Sequence, residues 1–253
     1  MAVAEVHHVV SGNPAGPVVV LSNSLGSTLE MWDATVPALE EHFRVVRYDT
    51  RGHGRSPVLP GPATIDALAT DLVVLLNRLN AEKAHLVGLS LGGMTALRVA
   101  IRNPERVDRL AVLCTSAHLG PASNWTDRAA LVRAEGTQAV AKAVVDRWFT
   151  PAHRDRARWE AMVAATPAEG YAGCCEAIAA MDQRADLHRI TAPTLAIAGA
   201  DDPATPPPHL DHIATSVRDG RLLVVPDAAH LANAERPEVV TAALLDHLTK
   251  ESS

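Results

Sequence analysis

Ser90 stands in Gly88-Leu89-Ser90-Leu91-Gly92, between the apolar run His85-Leu86-Val87 and a helix-like segment, Met94–Ala100. A serine hydroxyl at its ordinary pKa is a weak nucleophile. It needs a base beside it and a carboxylate to orient that base. The chain supplies candidates for both downstream: Asp202 after Gly199, and His230 after Pro226-Asp227-Ala228-Ala229. Serine, acid, histidine is one of the chain orders in which such a triad assembles, and its chemistry is acyl transfer. A bare G-x-S-x-G is common, so its weight comes from the setting of strand, tight turn and helix. That turn strains the backbone of Ser90, and glycines at 88 and 92 leave room for strand and helix to close on each other. The helix N-terminus and the Leu91 amide then lie where negative charge would develop.

Elements that could position these residues follow one another along the chain. Pro17–Ser22, Phe43–Tyr48, Arg109–Thr115, Thr194–Gly199 and Arg221–Val225 read as strands, and Glu5–Val10 has strand character before the turn cluster Ser11–Gly16. Thr64–Leu79 and Pro237–Leu248 read as amphipathic helices. Alternating strands and helices predict a parallel sheet covered on both faces, with ligands at the carboxyl ends of its strands. Two loops belong at that edge. Asn23–Thr28 offers backbone amides for an oxyanion hole or is a plain connection. In Asp49–Ser56, Arg51 and His53 are ties that fix the loop or supports behind the site. From Leu119 to His188 helical periodicity continues without a strong strand, which reads as a lid over the carboxyl edge. Nine Lys/Arg balance nine Asp/Glu over residues 121–190, so this insertion is neutral and the rest of the chain carries the negative excess.

Composition excludes several classes. A length of 253 residues suits one α/β domain, and a formal charge of −6 gives no basic footprint for nucleic acid. The first residues lack the plan of a signal peptide, and no apolar run approaches the ~20 residues of a membrane span. The expectation is a soluble, cytoplasmic protein with neither a membrane nor a nucleic-acid partner. Cys114, Cys174 and Cys175 imply no disulfide framework. His7 and His8 point to opposite faces of a strand, and His209 and His212 have no evident third ligand, so no metal site is expected.

Across the whole chain the arrangement resembles the α/β-hydrolase superfamily, and within it the 3-oxoadipate enol-lactonases. The residues that carry this are Ser22-Asn23-Ser24-Leu25-Gly26, Leu29-Glu30-Met31-Trp32-Asp33, Arg47–Gly54, Gly88–Gly93, Gly199–Pro206 and Ala228–Asn233. Most relatives of this type carry His-Gly where this chain has Asn23-Ser24; Ser-Asn-Ser-Leu-Gly is the enol-lactonase pattern. The resemblance implies an α/β-hydrolase fold: a mostly parallel sheet with helices on both faces and a helical cap inserted after the sixth strand. Residues 1–118 and 189–253 would form the core and 119–188 the cap. Asp202 is preferred to Asp201 because it stands three residues beyond Gly199 and four before Pro206, the acid's setting in this fold. The implied activity is hydrolysis of the lactone ester of 3-oxoadipate enol-lactone to 3-oxoadipate, a step of aromatic catabolism. Ser90, Asp202 and His230 would be catalytic, with the backbone amides of Leu25 and Leu91 holding the oxyanion and with no cofactor required. The substrate carries a carboxylate, for which Arg133 is the first candidate, with Trp125 and Trp148 as pocket walls. Other readings on the same fold are a carboxylesterase, a carbon–carbon hydrolase or a cofactor-free perhydrolase, and a ligand receptor is a different class. The sequence carries no sign of oligomeric state.

Overall fold

Val18–Ser22, Ala84–Leu89 and Thr194–Gly199 are nearly unbroken apolar runs. Such strands need cover on both faces. The computed structural model, which describes residues 2–59, 61 and 63–250, places them at the centre of a seven-stranded sheet. In chain order the strands are β1 (His8–Gly12), β2 (Val18–Ser22), β3 (Arg44–Tyr48), β4 (Ala84–Leu89), β5 (Val107–Leu113), β6 (Thr194–Gly199) and β7 (Gly220–Val225). Across the sheet the order is β1-β3-β2-β4-β5-β6-β7. β1 runs antiparallel to β3, and every other neighbour is parallel.

The helices are α1 (Val36–Glu40), α2 (Ile65–Arg78), α3 (Leu91–Arg102), α4 (Ala122–Glu135), α5 (Gln138–Trp148), α6 (Ala157–Ala164), α7 (Ala168–Ala179), α8 (Pro207–Ser216), α9 (Ala232–Glu235) and α10 (Pro237–Leu248). Alternation along the strands sorts them into two layers. Val19, Leu21, Val87 and Leu89 pack with Leu39 of α1 and Val240 and Leu244 of α10. Val20 and Leu86 pack with Leu72 and Leu76 of α2, Leu97 of α3 and Ile213 of α8. α2 starts where Thr64 caps it, its hydroxyl accepting the Ala67 amide at 3.1 Å. None of the described helices is long and apolar enough to cross a membrane.

Several boundaries differ from the sequence reading, among them β5, which is Val107–Leu113 rather than Arg109–Thr115. The N-terminal strand is His8–Gly12 rather than residues 5–10, because the chain before it is tied by a side chain: the Ala4 amide donates to Asp71 Oδ1 at 2.8 Å. One strand therefore precedes β2, and the helical insertion follows the fifth strand, not the sixth as expected. Within it, the periodicity read through Ala130–Val145 is interrupted at Gly136, whose φ of +79° ends α4 and separates it from α5. α4 to α7 occupy residues 122–179, and three of them (α4, α5 and α7) contribute side chains to a cavity at the carboxyl edge.

Two buried histidines make the fold acid-sensitive. His53 is fully buried, and burial pushes its pKa down to about 4 against a weak opposing effect of the Arg51 carbonyl. His247 is likewise held down at about 4 by burial and by the charges of Arg221, Arg109 and His85, against its bond to the Leu110 carbonyl. Both are neutral when folded and take up a proton when unfolded below the ordinary histidine pKa of about 6.5. Their contribution is complete above that pH and falls by about 1.4 kcal/mol per histidine for each pH unit down to about 4. Thermal melts between pH 8 and 4 should therefore show a flat Tm above pH 7 and a steep fall below 6.5. In His247→Gln the fall should be shallower, and parallel curves for the two proteins would refute the assignment.

Candidate active site

Ser90 occupies the turn between β4 and α3 with φ 56° and ψ −115°, a conformation costing roughly 1–3 kcal/mol in a non-glycine residue. The surroundings over-determine it. A Cβ on Gly88 would meet the Gly92 carbonyl at 2.2 Å, and one on Gly92 would meet the Ser22 carbonyl at 2.2 Å. The Ser90 amide donates to Leu113 O at 2.9 Å, and the Thr115 hydroxyl donates to Ser90 O at 2.7 Å. This backbone grip leaves the Ser90 side chain lining the cavity. Leu91 heads α3, so its amide is among those without an intrahelical partner. Leu25, from the loop after β2, lines the same cavity.

Asp202 and His230 come from the loops after β6 and β7. His230 Nδ1 donates to Asp202 Oδ2 at 2.8 Å, which leaves its Nε2 lone pair for the cavity that His230 and Ser90 share. Asp202 Oδ1 accepts the amides of Ala204 at 2.8 Å and Thr205 at 3.1 Å, and Oδ2 also accepts the Thr205 hydroxyl at 2.7 Å. Burial would raise the Asp202 pKa. The charge and hydrogen bond of His230 and the bonds from Thr205 outweigh it and hold the carboxyl at about 2. Asp201 is exposed, whereas Asp202 is buried. Ser90 Oγ makes no hydrogen bond among the described residues; in unliganded sites of this kind the nucleophile–base contact is often loose. An ionised, saturated carboxylate behind a buried imidazole that faces a strained serine can move a proton off that serine and back to a leaving group.

The cavity measures about 210 Å³, below the roughly 300–1,000 Å³ of drug-sized pockets, so it suits a compact substrate. A wider groove of about 960 Å³ crosses the opposite edge between Lys83 and Lys250, but its lining holds no serine, cysteine or histidine. Trp125 and Trp148 both line the Ser90 cavity, and Trp148 packs edge-on against Trp159 at 6.2 Å.

Arg133 does not reach the cavity. Its guanidinium is held by Glu169 at 3.1 Å and Glu176 at 2.5 Å, which tie α4 to α7 on the outer side. The reason is helical: five residues from Arg128 is a rotation of about 140°, onto another face of α4. Arg128, three residues after Trp125, is the arginine of α4 that lines the cavity, its guanidinium 4.7 Å over the Trp125 ring. Arg147 of α5 joins it. Burial and the neighbouring Arg128 both lower the Arg147 pKa, partly countered by Tyr171 and Asp202. Among the described residues neither guanidinium has a carboxylate partner within salt-bridge distance. Residues 128 and 205 lie within reach of sequence reasoning, three positions from Trp125 and Asp202 respectively. Tyr171 carries no such signal.

Comparison with known proteins gives a consistent picture. The family described as alpha/beta hydrolase fold matches residues 17–147. The chain is 38% identical over 247 residues to 3-oxoadipate enol-lactonase 2 of Acinetobacter baylyi, covering 92% of this chain and 89% of that one. It is 30% identical over 248 residues to a Stutzerimonas stutzeri protein named as the carbamate hydrolase RutD, covering 94% of each. The crystal structure of the enol-lactonase from Burkholderia xenovorans LB400 superposes with a TM-score of 0.95 at 39% identity, over 98% of this chain and 97% of that one.

The two adjacent aspartates give a sharp test. Asp202→Asn should lower kcat for p-nitrophenyl acetate by about 10⁴-fold, because the imidazole loses its orienting charge. Asp201→Asn should stay within about twofold, as surface changes usually do. Comparable losses in both variants would reject the role read for Asp202.

Proposed function

The chain belongs to the α/β-hydrolase family and is an ester hydrolase, and from that premise we propose that it opens the ring of 3-oxoadipate enol-lactone to 3-oxoadipate. The observation that carries the choice of substrate is the pair of guanidiniums, Arg128 and Arg147, that line the Ser90 cavity without a carboxylate partner. A neutral ester gives such a pair nothing to bind. A lactone with a free carboxylate can receive a planar, two-pronged hydrogen bond from an arginine while its ring carbonyl reaches Ser90. The cavity's modest volume agrees with a single five-membered ring and its side chain.

In this reading His230 Nε2 takes the Ser90 proton as Oγ bonds to the lactone carbonyl carbon. The amides of Leu91 and Leu25 receive the oxyanion, in such sites the largest electrostatic contribution. Collapse of the tetrahedral intermediate breaks the ring C–O bond, and the imidazolium protonates the departing enol oxygen. Because the ester is cyclic, the leaving group stays on the acyl chain, and its carboxylate keeps that chain anchored while the enol tautomerises to the ketone. Water then gives a proton to His230 and attacks the acyl carbon; the bond to Ser90 Oγ breaks, the imidazolium returns the proton to Oγ, and the diacid leaves. Asp202 holds the imidazole in the Nδ1–H form throughout. The reaction belongs to aromatic catabolism, and a cytoplasmic location suits it.

The relatives named as carbamate hydrolases supply the competing reading, since the same groups can attack a carbamate carbonyl. Loss of the lactone's ultraviolet absorbance with wild-type protein, abolished in Ser90→Ala, supports the lactonase. Ammonia release from a carbamate with an untouched lactone would replace it.

Arg128→Ala and Arg147→Ala should each raise KM for the lactone about 10–100-fold, the cost of a lost charge-assisted hydrogen bond. KM for p-nitrophenyl acetate should move less than about threefold. Arg133→Ala should leave both constants near wild type, and an equal rise on both substrates would reject the carboxylate-binding role.

A further inference from the structure

The loop after β2 is gripped at several points by side chains and backbone of the β3 end. At its start Asn23 Nδ2 donates to Tyr48 O at 2.7 Å, and at its end the Leu29 amide donates to Asp49 Oδ1 at 2.8 Å. Between them, the Gly26 amide donates to His53 Nε2 at 3.0 Å. The tautomer is fixed by the other ring nitrogen. Nδ1 faces the Arg51 carbonyl at 3.1 Å, and a carbonyl can only accept, so Nδ1 carries the proton and Nε2 the lone pair. The imidazole is fully buried and lies beside the ring of Tyr171, centroids 6.5 Å apart. Each of its polar atoms is used once, on backbone.

The position of that bond matters because peptide groups are planar. The Leu25 amide belongs to the Ser24–Leu25 peptide, whose carbonyl, Ser24 O, accepts both the Ser27 amide at 3.2 Å and the Ser27 hydroxyl at 2.8 Å. Ser27 thereby sets the direction of the Leu25 N–H. The next peptide, Leu25–Gly26, is set through its N–H by His53. Both planes that meet at the Leu25 Cα are therefore held from outside the cavity. Gly26 itself has φ +81°, and a Cβ there would meet Tyr171 at 2.9 Å. Such a backbone turns freely unless something holds it.

We infer that His53 is a positioning residue of the oxyanion hole, its neutral Nε2 fixing the peptide that follows Leu25 so that the Leu25 amide is aimed before substrate arrives. The inference rests on the ester-hydrolysis mechanism proposed above, in which that amide receives the oxyanion. A hydrogen-bond donor aimed in advance is worth far more to the transition state than one that must reorient. His53 touches no substrate and acts through Gly26 and Leu25 alone.

Two substitutions separate this role from simple loss of packing. His53→Gln keeps an acceptor near the Nε2 position, whereas His53→Asn keeps only a group near Nδ1. For p-nitrophenyl acetate, His53→Asn should lower kcat by roughly 10²-fold, as loss of one oxyanion donor does, with KM within about threefold. Affinity for a boronic acid that forms a tetrahedral adduct with Ser90 should weaken by the same factor. His53→Gln should recover both to within about tenfold of wild type. Equal losses in the two variants, or a kcat loss without weaker boronate binding, would overturn the inference. Nitrogen-15 NMR of wild-type protein reads it without any variant: Nε2 must be the unprotonated ring nitrogen at neutral pH, and an Nε2–H tautomer rejects it. Failure of the underlying mechanism has its own signature, esterase activity retained by Ser90→Ala, which no outcome of the His53 series imitates.

Discussion

The backbone contact between Gly92 and the Ser22 carbonyl is the constraint from which the site follows. With Gly88 against Gly92 as well, α3 is drawn onto β4 and β2 more closely than any side chain would permit. That closeness forces Ser90 to positive φ, brings the first amides of α3 under its hydroxyl and sets the loop after β2 beside them. The strain at Ser90 is local and small against the sheet that imposes it, since β4 is buried along its whole length and parallel to β2 and β5. A serine held this way, with the Thr115 hydroxyl on its carbonyl, needs no contact of its own side chain to fix its backbone. Its hydroxyl stays free for chemistry.

A division of charge runs across the same cavity. At one end the Asp202 carboxylate is buried, but four hydrogen bonds saturate it, so its charge is spent on orienting His230 rather than on attracting ligands. At the cap side two guanidiniums face the cavity with no acid among the described residues to neutralise them. Arg133, on the same helix as Arg128, is by contrast fully engaged by Glu169 and Glu176. The cap thus uses one arginine to join its own helices and offers two to the cavity. On the proposed reading, an anionic ligand would be drawn to the cap side and held away from Asp202. Its length then decides which of its carbonyls meets Ser90.

Chemistry carried by neighbours in the chain is legible in the sequence alone. Ser90 with its glycines and the helix 65–78 rest on local patterns of turn, cap or period, while Asp202 and His230 rest on chain order and, for the choice of Asp202 over Asp201, on the family resemblance. The same reading puts Trp125 and Trp148 in the pocket but misses the arginine beside them. A lone arginine in an amphipathic helix has no sequence signature for the face it occupies, and α4 carries weak amphipathic contrast because its buried positions are few. The N-terminal strand is displaced for a similar reason: its start is set by Asp71, a residue distant in sequence, through a bond to Ala4. His53 is the clearest case. Its loop reads as a tie, yet what it ties, the Gly26 amide, lies 27 residues away.

Sequence resemblance at the triad is shared by enzymes of different substrates, so specificity must come from what the cap adds and the loop after β2 holds. Asn23 and Ser24 illustrate the second part. Asn23 bonds Tyr48 O and accepts from Trp32 Nε1, so its side chain is consumed in fixing the loop and projects nothing toward the ligand. A residue with a side chain aimed at the substrate would alter binding; one committed to the backbone alters only how firmly the Leu25 amide is presented. Besides the backbone, the core side of the cavity presents Ser24, Leu25, Pro203 and Ala204. The cap side of the same cavity is lined by Arg128, Arg147, Trp125 and Trp148. A new substrate in this architecture needs change only in the groups that line the cavity, on the cap or beside the loop after β2, while the strained turn below them continues unchanged.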